Sequence, residues 1–419
     1  MVAIKNVKAM EVYDSRGIPT VEAVVTTSQG AFSAIVPSGT SSGKYEAVEL
    51  RDGGKRLSGK GVTKAVDNIN RVIAKKITGM DPVLQKKIDA IMIELDGTKN
   101  KGKLGANAIL AVSMAVCRAG AAASGQNLYE YVGQKSAKDP ILPVPMMNVI
   151  NGGVHGVSNL NIQEFLILPT GASSFREAME FCVDIYQQLK LMIKKSFGTA
   201  AVSVGYEGGF APPLDSSEKA VKLVAQAIEE VGLEKKIKIG LDAAASEFFN
   251  IDLYSFEKKA LRTDQLYDFY TNLIEKYDII SLEDPFSEDD WEGFKLIKKN
   301  SVGVQIVGDD LLVTSVERIK KAIELNACNA LLLKLNQIGT VSEALDAAKL
   351  SFDNKWNVVV SHRSGDSEDS FIADFVVGLG AGQSKFGAPA RSDRVAKYNQ
   401  LLRIEEQLGS KAKYFRWKI

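Results

Sequence analysis

Histidine is nearly absent from this chain of 419 residues: it occurs twice, as His155 and His362. Cysteine occurs three times, as Cys117, Cys182 and Cys328. Three widely separated thiols support neither a disulfide framework nor a cysteine-rich zinc site, and they suit a reducing cytoplasm. No sign of charge predominates either. Lys and Arg number 52 and Asp and Glu 51, so the net charge is +1. No basic excess argues for nucleic acid, and no acidic tail argues for disorder. Charge that binds a ligand must therefore be local. The start of the chain, Met1-Val2-Ala3-Ile4-Lys5, lacks the apolar segment of a signal peptide. Residues 104–125 are apolar enough to raise the question of a membrane span. They are Ala-rich, Ala and Gly carry little transfer energy, and Asn107, Ser113 and Arg118 interrupt them. A packed, buried helix is expected there, and no membrane span.

Two nucleotide-binding signatures are also missing. No G-x-G-x-x-G opens a strand–helix unit, which argues against a dinucleotide fold. Gly39 to Lys44 resembles a P-loop, but it has one residue too few between its glycines, and Tyr45 stands where Ser or Thr would hold Mg²⁺. A flexible lid over a site is the better expectation for residues 37–45.

What is present is a large apolar share, 45% of the residues, ample for a sizeable core. Residues 7–13, 21–27 and 31–36 alternate as short strands, and helical patterns follow at about 62–77, 82–96 and in the Ala-rich stretch. Strands followed by helices indicate an α+β domain over residues 1–134, with a linker at 135–140. Over residues 135–419 the pattern changes to apolar strands at 237–241, 279–282, 305–307, 330–333 and 358–360. Helical runs intervene at about 263–275, 291–299, 315–324, 341–350 and 367–377. So many consecutive units predict an α/β fold whose parallel sheet closes into a barrel.

The residue that closes each apolar run is charged. The first run ends in Asp242, the second in Glu283-Asp284, the third in Asp309-Asp310, the fourth in Lys334 and the fifth in His362-Arg363. A single charge after a strand usually marks only the start of a polar loop. Five in succession, acids first and bases last, point to one rim of a barrel, where barrel active sites are built. Asp242, Glu283 and Asp309 offer hard oxygen ligands. With no Cys or His cluster, Mg²⁺ is the expected ion and Zn²⁺ is disfavoured.

These strand ends resemble those of the enolase family. The resemblance is carried by Ser281-Leu282-Glu283-Asp284-Pro285-Phe286, by Gly240-Leu241-Asp242 and by Val307-Gly308-Asp309-Asp310-Leu311. It continues through Leu332 to Thr340, Ser361-His362-Arg363-Ser364-Gly365 and Lys385 to Ser392. Asn148 to His155, Gln163-Glu164-Phe165, Asp14-Ser15-Arg16-Gly17 and Pro37-Ser38-Gly39 also match, in the family's order from about residue 7 to 408. The resemblance implies a capping domain before an eight-stranded α/β barrel of the TIM type. It implies the reversible dehydration of 2-phosphoglycerate to phosphoenolpyruvate in glycolysis and gluconeogenesis. Two Mg²⁺ ions per site are implied, one on Asp242, Glu283 and Asp309, the other reached by Ser38. Lys334 is the implied base and Glu207 the implied acid, with Glu164 beside it. Gln163, Arg363, Ser364 and Lys385 are implied to hold the substrate, Arg363 and Ser364 at the phosphate and Lys385 at the carboxylate. His155 and His362 are assigned to substrate contact or proton handling. A homodimer, or an octamer built from dimers, is implied as well.

The chemistry needs these residue types. A proton next to a carboxylate is a very weak acid, and its removal leaves a dianionic enolate whose charge must be neutralised in place. A divalent cation does this as a Lewis acid. Lys334 can serve as base only if its pKa falls, which desolvation and nearby cations would cause. Two close carboxylates push one pKa up and keep a proton available for the departing hydroxide.

The chain departs from the family pattern beside these residues. Tyr206 precedes the acid where the family usually has Asp. Gly156-Val157-Ser158 follow His155 in place of Ala, then Gly or Asp, then Asn. Phe386 replaces a Thr after Lys385, and Lys44 adds a charge to the lid. Neighbouring groups orient catalytic ones, so altered turnover, pH optimum or substrate preference is expected. Two rival expectations remain: another α-proton-abstracting enzyme of the same superfamily, or a non-catalytic homologue.

Overall fold

The computed structural model describes residues 2–40, 43–153 and 160–418. The chain opens with an antiparallel meander of β1 (Asn6–Tyr13), β2 (Pro19–Thr27) and β3 (Gly30–Ile35). In β2 the side chains of Val21, Ala23 and Val25 are buried while Glu22, Val24 and Thr26 are not, the period-two pattern of a half-covered sheet. Helix Ala106–Ala123 packs on β2 and β3. It is long and apolar enough to cross a bilayer, but 83% of that window is buried inside the fold, as its small side chains allow. The helix expected at 62–77 forms from Thr63 to Ile77, with a π-helical turn at Ile69–Ile73. Helix Leu128–Ser136 includes residues 135 and 136, the first two of the expected linker.

Beyond residue 140 the strands are β4 (Val144–Pro145), β5 (Met147–Asn151), β6 (Glu164–Leu168) and β7 (Lys238–Asp242). A small separate meander follows, of β8 (Phe249–Asn250), β9 (Leu253–Phe256) and β10 (Lys259–Leu261). The series ends with β11 (Ile279–Glu283), β12 (Gln305–Gly308), β13 (Ala330–Leu333), β14 (Asn357–Ser361) and β15 (Gly382–Lys385). The large sheet has the order β4-β15-β14-β13-β12-β11-β7-β6-β5. Only Met146 separates β4 from β5, so this one run pairs with β15 at its start and with β6 at its end. That closure makes a barrel of eight runs.

The barrel is not wholly parallel. β6 is antiparallel to both β5 and β7, with Glu164 opposite Asp242. The start of β6 therefore shares a rim with the ends of its neighbours. Two helices, Phe175–Phe197 and Ser217–Glu230, cover the crossing from β6 to β7. Apolar β13 and β14 lie buried against the surrounding helices. The barrel interior carries a polar layer: Gln305 and Gln383 exchange amide hydrogen bonds at 2.8 and 3.0 Å, and Asn357 donates to Gln305 at 2.7 Å. Buried amides that satisfy one another cost little, and they fix the register of three strands.

Candidate active site

The rim gathers its charges into one cavity. Glu164, Glu207, Asp242, Asp309 and Asp310 line it with Lys334, Arg363 and Lys385, and Gly39, Gln163, Ala244, Ser361, His362 and Ser364 complete its walls. Five carboxylates face three cations, so the cavity favours a further positive charge. Each acid-bearing turn is held by strained backbone. Ala244, Asp284, Val313 and Thr314 follow the three expected ligands at φ of +45°, +38°, +43° and +55°. Such conformations cost about 1–3 kcal/mol each in residues other than glycine and persist where the surroundings fix them. Here the fixing bonds are visible. Asp242 Oδ1 accepts from the Ala244 amide at 2.9 Å. The Asp284 carboxylate accepts from the amides of Asp309 and Asp310 at 2.9 and 2.6 Å. Asp284 thus braces the next strand's turn.

Lys385 lies among the acids. Its Nζ is 2.7 Å from Asp242, 2.9 Å from Glu283 and 3.2 Å from Glu164. Burial pushes the carboxyls of Glu283 and Glu164 well above the usual range, and the neighbouring acids, Asp242 for Glu283 and Glu207 for Glu164, add to it. The second oxygen of Glu283, Oε2, is buried with no hydrogen-bond partner among the described residues. Oxygens of Glu164 and Glu207 and a ring nitrogen of His362 lie within 4.8 Å of one another. Asn148 donates to Glu207 Oε2 at 3.0 Å. Gly387, at φ +87°, lets the chain pass close behind: a Cβ there would meet the Glu207 carbonyl at 2.7 Å.

Lys334 departs from expectation. Its pKa is raised, although burial and the cations Arg363 and Lys385 lower it, because Asp309 Oδ2 stands 2.5 Å from Nζ. Burial pushes Asp309 up, but Lys334 outweighs it and the Asp309 carboxyl ends below its ordinary value. Gln337 donates to the other Asp309 oxygen at 2.8 Å and accepts from Thr314 Oγ1 at 2.9 Å.

The loop before the first long helices lies over this rim. Ser38 and Gly365 exchange backbone bonds at 2.7 and 2.8 Å. That pairing turns the Ser38 hydroxyl to Glu49, at 3.0 Å, and outside the cavity's lining. Thr40 donates from its amide to Ser364 Oγ at 2.7 Å. Glu46 grips the Arg363 guanidinium through two bonds of 2.9 and 3.1 Å. Lys44 pairs with Asp289 at the surface, Tyr45 stacks under Arg318 at 3.9 Å, and Phe386 is buried. Residues 41–42 and the expected site residue His155, with Gly156, Val157 and Ser158, lie outside the described residues.

Asp242, Glu283, Asp309, Lys334, Glu164, Glu207, Gln163, His362, Arg363, Ser364 and Lys385 thus come together, and Ser38 stands apart. Sequence reasoning missed Glu46, Gln337, Asn148 and Arg394. Gln337 and Asn148 lie within stretches already singled out, and Glu46 and Arg394 just beyond them, but no role was read for any of the four.

Comparison with known proteins gives a consistent picture. Residues 4–132 match the family model described as the enolase N-terminal domain, and residues 139–418 that of the enolase C-terminal TIM barrel domain. The protein named enolase from Methanocaldococcus jannaschii is 55% identical over 407 residues, covering 97% of this chain and 96% of its own length. The Methanococcus aeolicus enolase is 55% identical over 408 residues, with 97% and 96% covered. That of Methanococcus vannielii is 53% identical over 408 residues, with 97% and 95% covered.

Proposed function

The chain belongs to the enolase family and is a phosphopyruvate hydratase, a Mg²⁺-dependent lyase that interconverts 2-phosphoglycerate and phosphoenolpyruvate, and we propose that its rim residues divide this work as follows. Asp242, Glu283 and Asp309 would hold one Mg²⁺, and Ser38 would reach a second if its loop closed as a lid. The donors suit the ion: hard oxygens, an excess of negative charge, and a buried Glu283 oxygen without a partner. When bound, the ions supply Lewis-acid neutralisation of the charge that develops on the substrate carboxylate. Lys385 orients that carboxylate. Arg363 and Ser364 hold the phosphate, for which Arg363 exchanges its bonds to Glu46. Lys334 removes the α-proton in its neutral form, which desolvation, Arg363 and Lys385 favour and which the Asp309 contact opposes until that carboxylate turns to the metal. Glu207 gives a proton to the departing hydroxide, and buried Glu164 stands beside it. Gln163, His155 and His362 contact the substrate.

One observation carries these roles. In the order of the barrel, β13, which presents Lys334, stands four runs from β6, which presents Glu164. Base and acid pair therefore face each other across the cavity, as removal of a proton and of hydroxide from neighbouring carbons requires. The division into residues 1–134 and 135–419, the homodimeric or octameric assembly and the cytoplasmic location belong to the same proposal.

Exchange of the substrate's α-proton with deuterated solvent tests the roles. Glu207→Gln should keep exchange while losing dehydration. Lys334→Ala should lose both, by about 10²–10⁴-fold, the usual worth of a positioned base. Exchange that persists in Lys334→Ala would remove Lys334 from this role.

A further inference from the structure

Arg394 takes no part in the chemistry above, yet it is wholly buried behind His362. It lies in the first turn of helix Ser392–Leu408, and its side chain is 0% exposed. Its Nη1 donates to His362 Nδ1 at 2.5 Å and to the Arg363 carbonyl at 2.6 Å. Its Nη2 donates to the carbonyls of Ser364 at 2.6 Å and Tyr206 at 3.1 Å. Its Nε stands 2.8 Å from Asp393 Oδ2.

A guanidinium is always protonated and has no acceptor. His362 Nδ1 must therefore accept, and the ring's single proton sits on Nε2. That nitrogen is buried, has no hydrogen-bond partner among the described residues, and lies 3.4 Å from Glu207 Oε1. We propose that Arg394 is a positioning residue that locks His362 as its neutral Nε2–H tautomer. The ring then presents a fixed N–H donor to Glu207 and to the departing hydroxyl. With no free lone pair facing the cavity, it cannot take the proton that Glu207 must deliver. The inference rests on Glu207 being the acid.

The charges around the ring agree with this. Burial lowers the His362 pKa most, Glu207 and Asp366 oppose the fall, Arg394 adds to it, and the result is about 4. Gly387 keeps the assembly tight, since a Cβ there would meet Arg394 Cδ at 2.9 Å and His362 Cε1 at 3.0 Å.

Nuclear magnetic resonance of the intact protein with ¹⁵N-labelled histidine tests the proposal directly. The chain has two histidines, so His362 is assigned by the signal that His362→Gln removes. The expected result is an Nε2–H tautomer that does not titrate between about pH 5 and 8. Arg394→Lys keeps the charge and loses the fork. Its His362 should populate the Nδ1–H form, while burial still keeps the ring neutral in that range. Its kcat should fall about 10–100-fold, the usual cost of removing a group that orients a working histidine, with KM changed much less. A folded Arg394→Lys protein with an unchanged His362 tautomer would overturn the proposal. So would an Nδ1–H or charged His362 in the unaltered protein, a result that needs no variant to fold. Full dehydration by Glu207→Gln would instead remove the acid assignment, while the tautomer measurement stands on its own.

Discussion

Tyr206 precedes the proposed acid in the chain, but it is 43% exposed and does not line the cavity. Only its carbonyl joins the site, as an acceptor for Arg394. The departure from the family's Asp therefore falls on a side chain that points into solvent. Tyr206→Asp should change kcat and KM by no more than about twofold, since exposed substitutions usually stay within about 0.5 kcal/mol. A tenfold change in steady-state kinetics would show that the ring reaches the chemistry. At this scale the sequence revealed residues that end an apolar run, because the run itself announces them: Asp242, Glu283, Asp309 and Lys334. It was silent on Arg394 and Glu46. Their roles depend on which side chain the fold sets against them, His362 for one and Arg363 for the other.

Among the elements, the five expected barrel strands recur within two residues of their predicted ends. The other three runs, β4–β5, β6 and β15, were not expected. β15 reads Gly-Gln-Ser-Lys, as polar as a loop, and is buried because the closed interior satisfies Gln383 through Gln305. β6 begins with the side chain that lines the cavity where the others end with theirs, so a rule about strand ends passes over Glu164. Helix contacts are just as specific. Gly378, in helix Phe371–Leu379, lies against helix Leu128–Ser136 of the preceding domain. A Cβ on it would meet the Tyr129 carbonyl at 2.2 Å and the Gly133 amide at 3.0 Å, both backbone that cannot step aside. Gly378→Ala should therefore destabilise the protein by about 1–3 kcal/mol, the usual cost of overpacking, with a lower denaturation midpoint. An unchanged midpoint would mean that the helices part freely, and that this contact does not hold the domains together.

For the molecule as a whole, near neutrality conceals a strong local imbalance. A net charge of +1 over 419 residues coexists with a cavity where five carboxylates face three cations. Buried acids left uncompensated must take up protons or bind a cation, and the raised carboxyls of Glu164 and Glu283 express that pressure. Mg²⁺ is expected to relieve it and thereby to permit proton removal by Lys334. The direct test is the ultraviolet absorbance of phosphoenolpyruvate formed from 2-phosphoglycerate, followed as Mg²⁺ is titrated into chelator-treated protein. The account predicts no product without Mg²⁺, a saturating rise with it, and a rise shifted to higher Mg²⁺ concentration in Glu283→Gln. Dehydration that proceeds at full rate in excess chelator would contradict it.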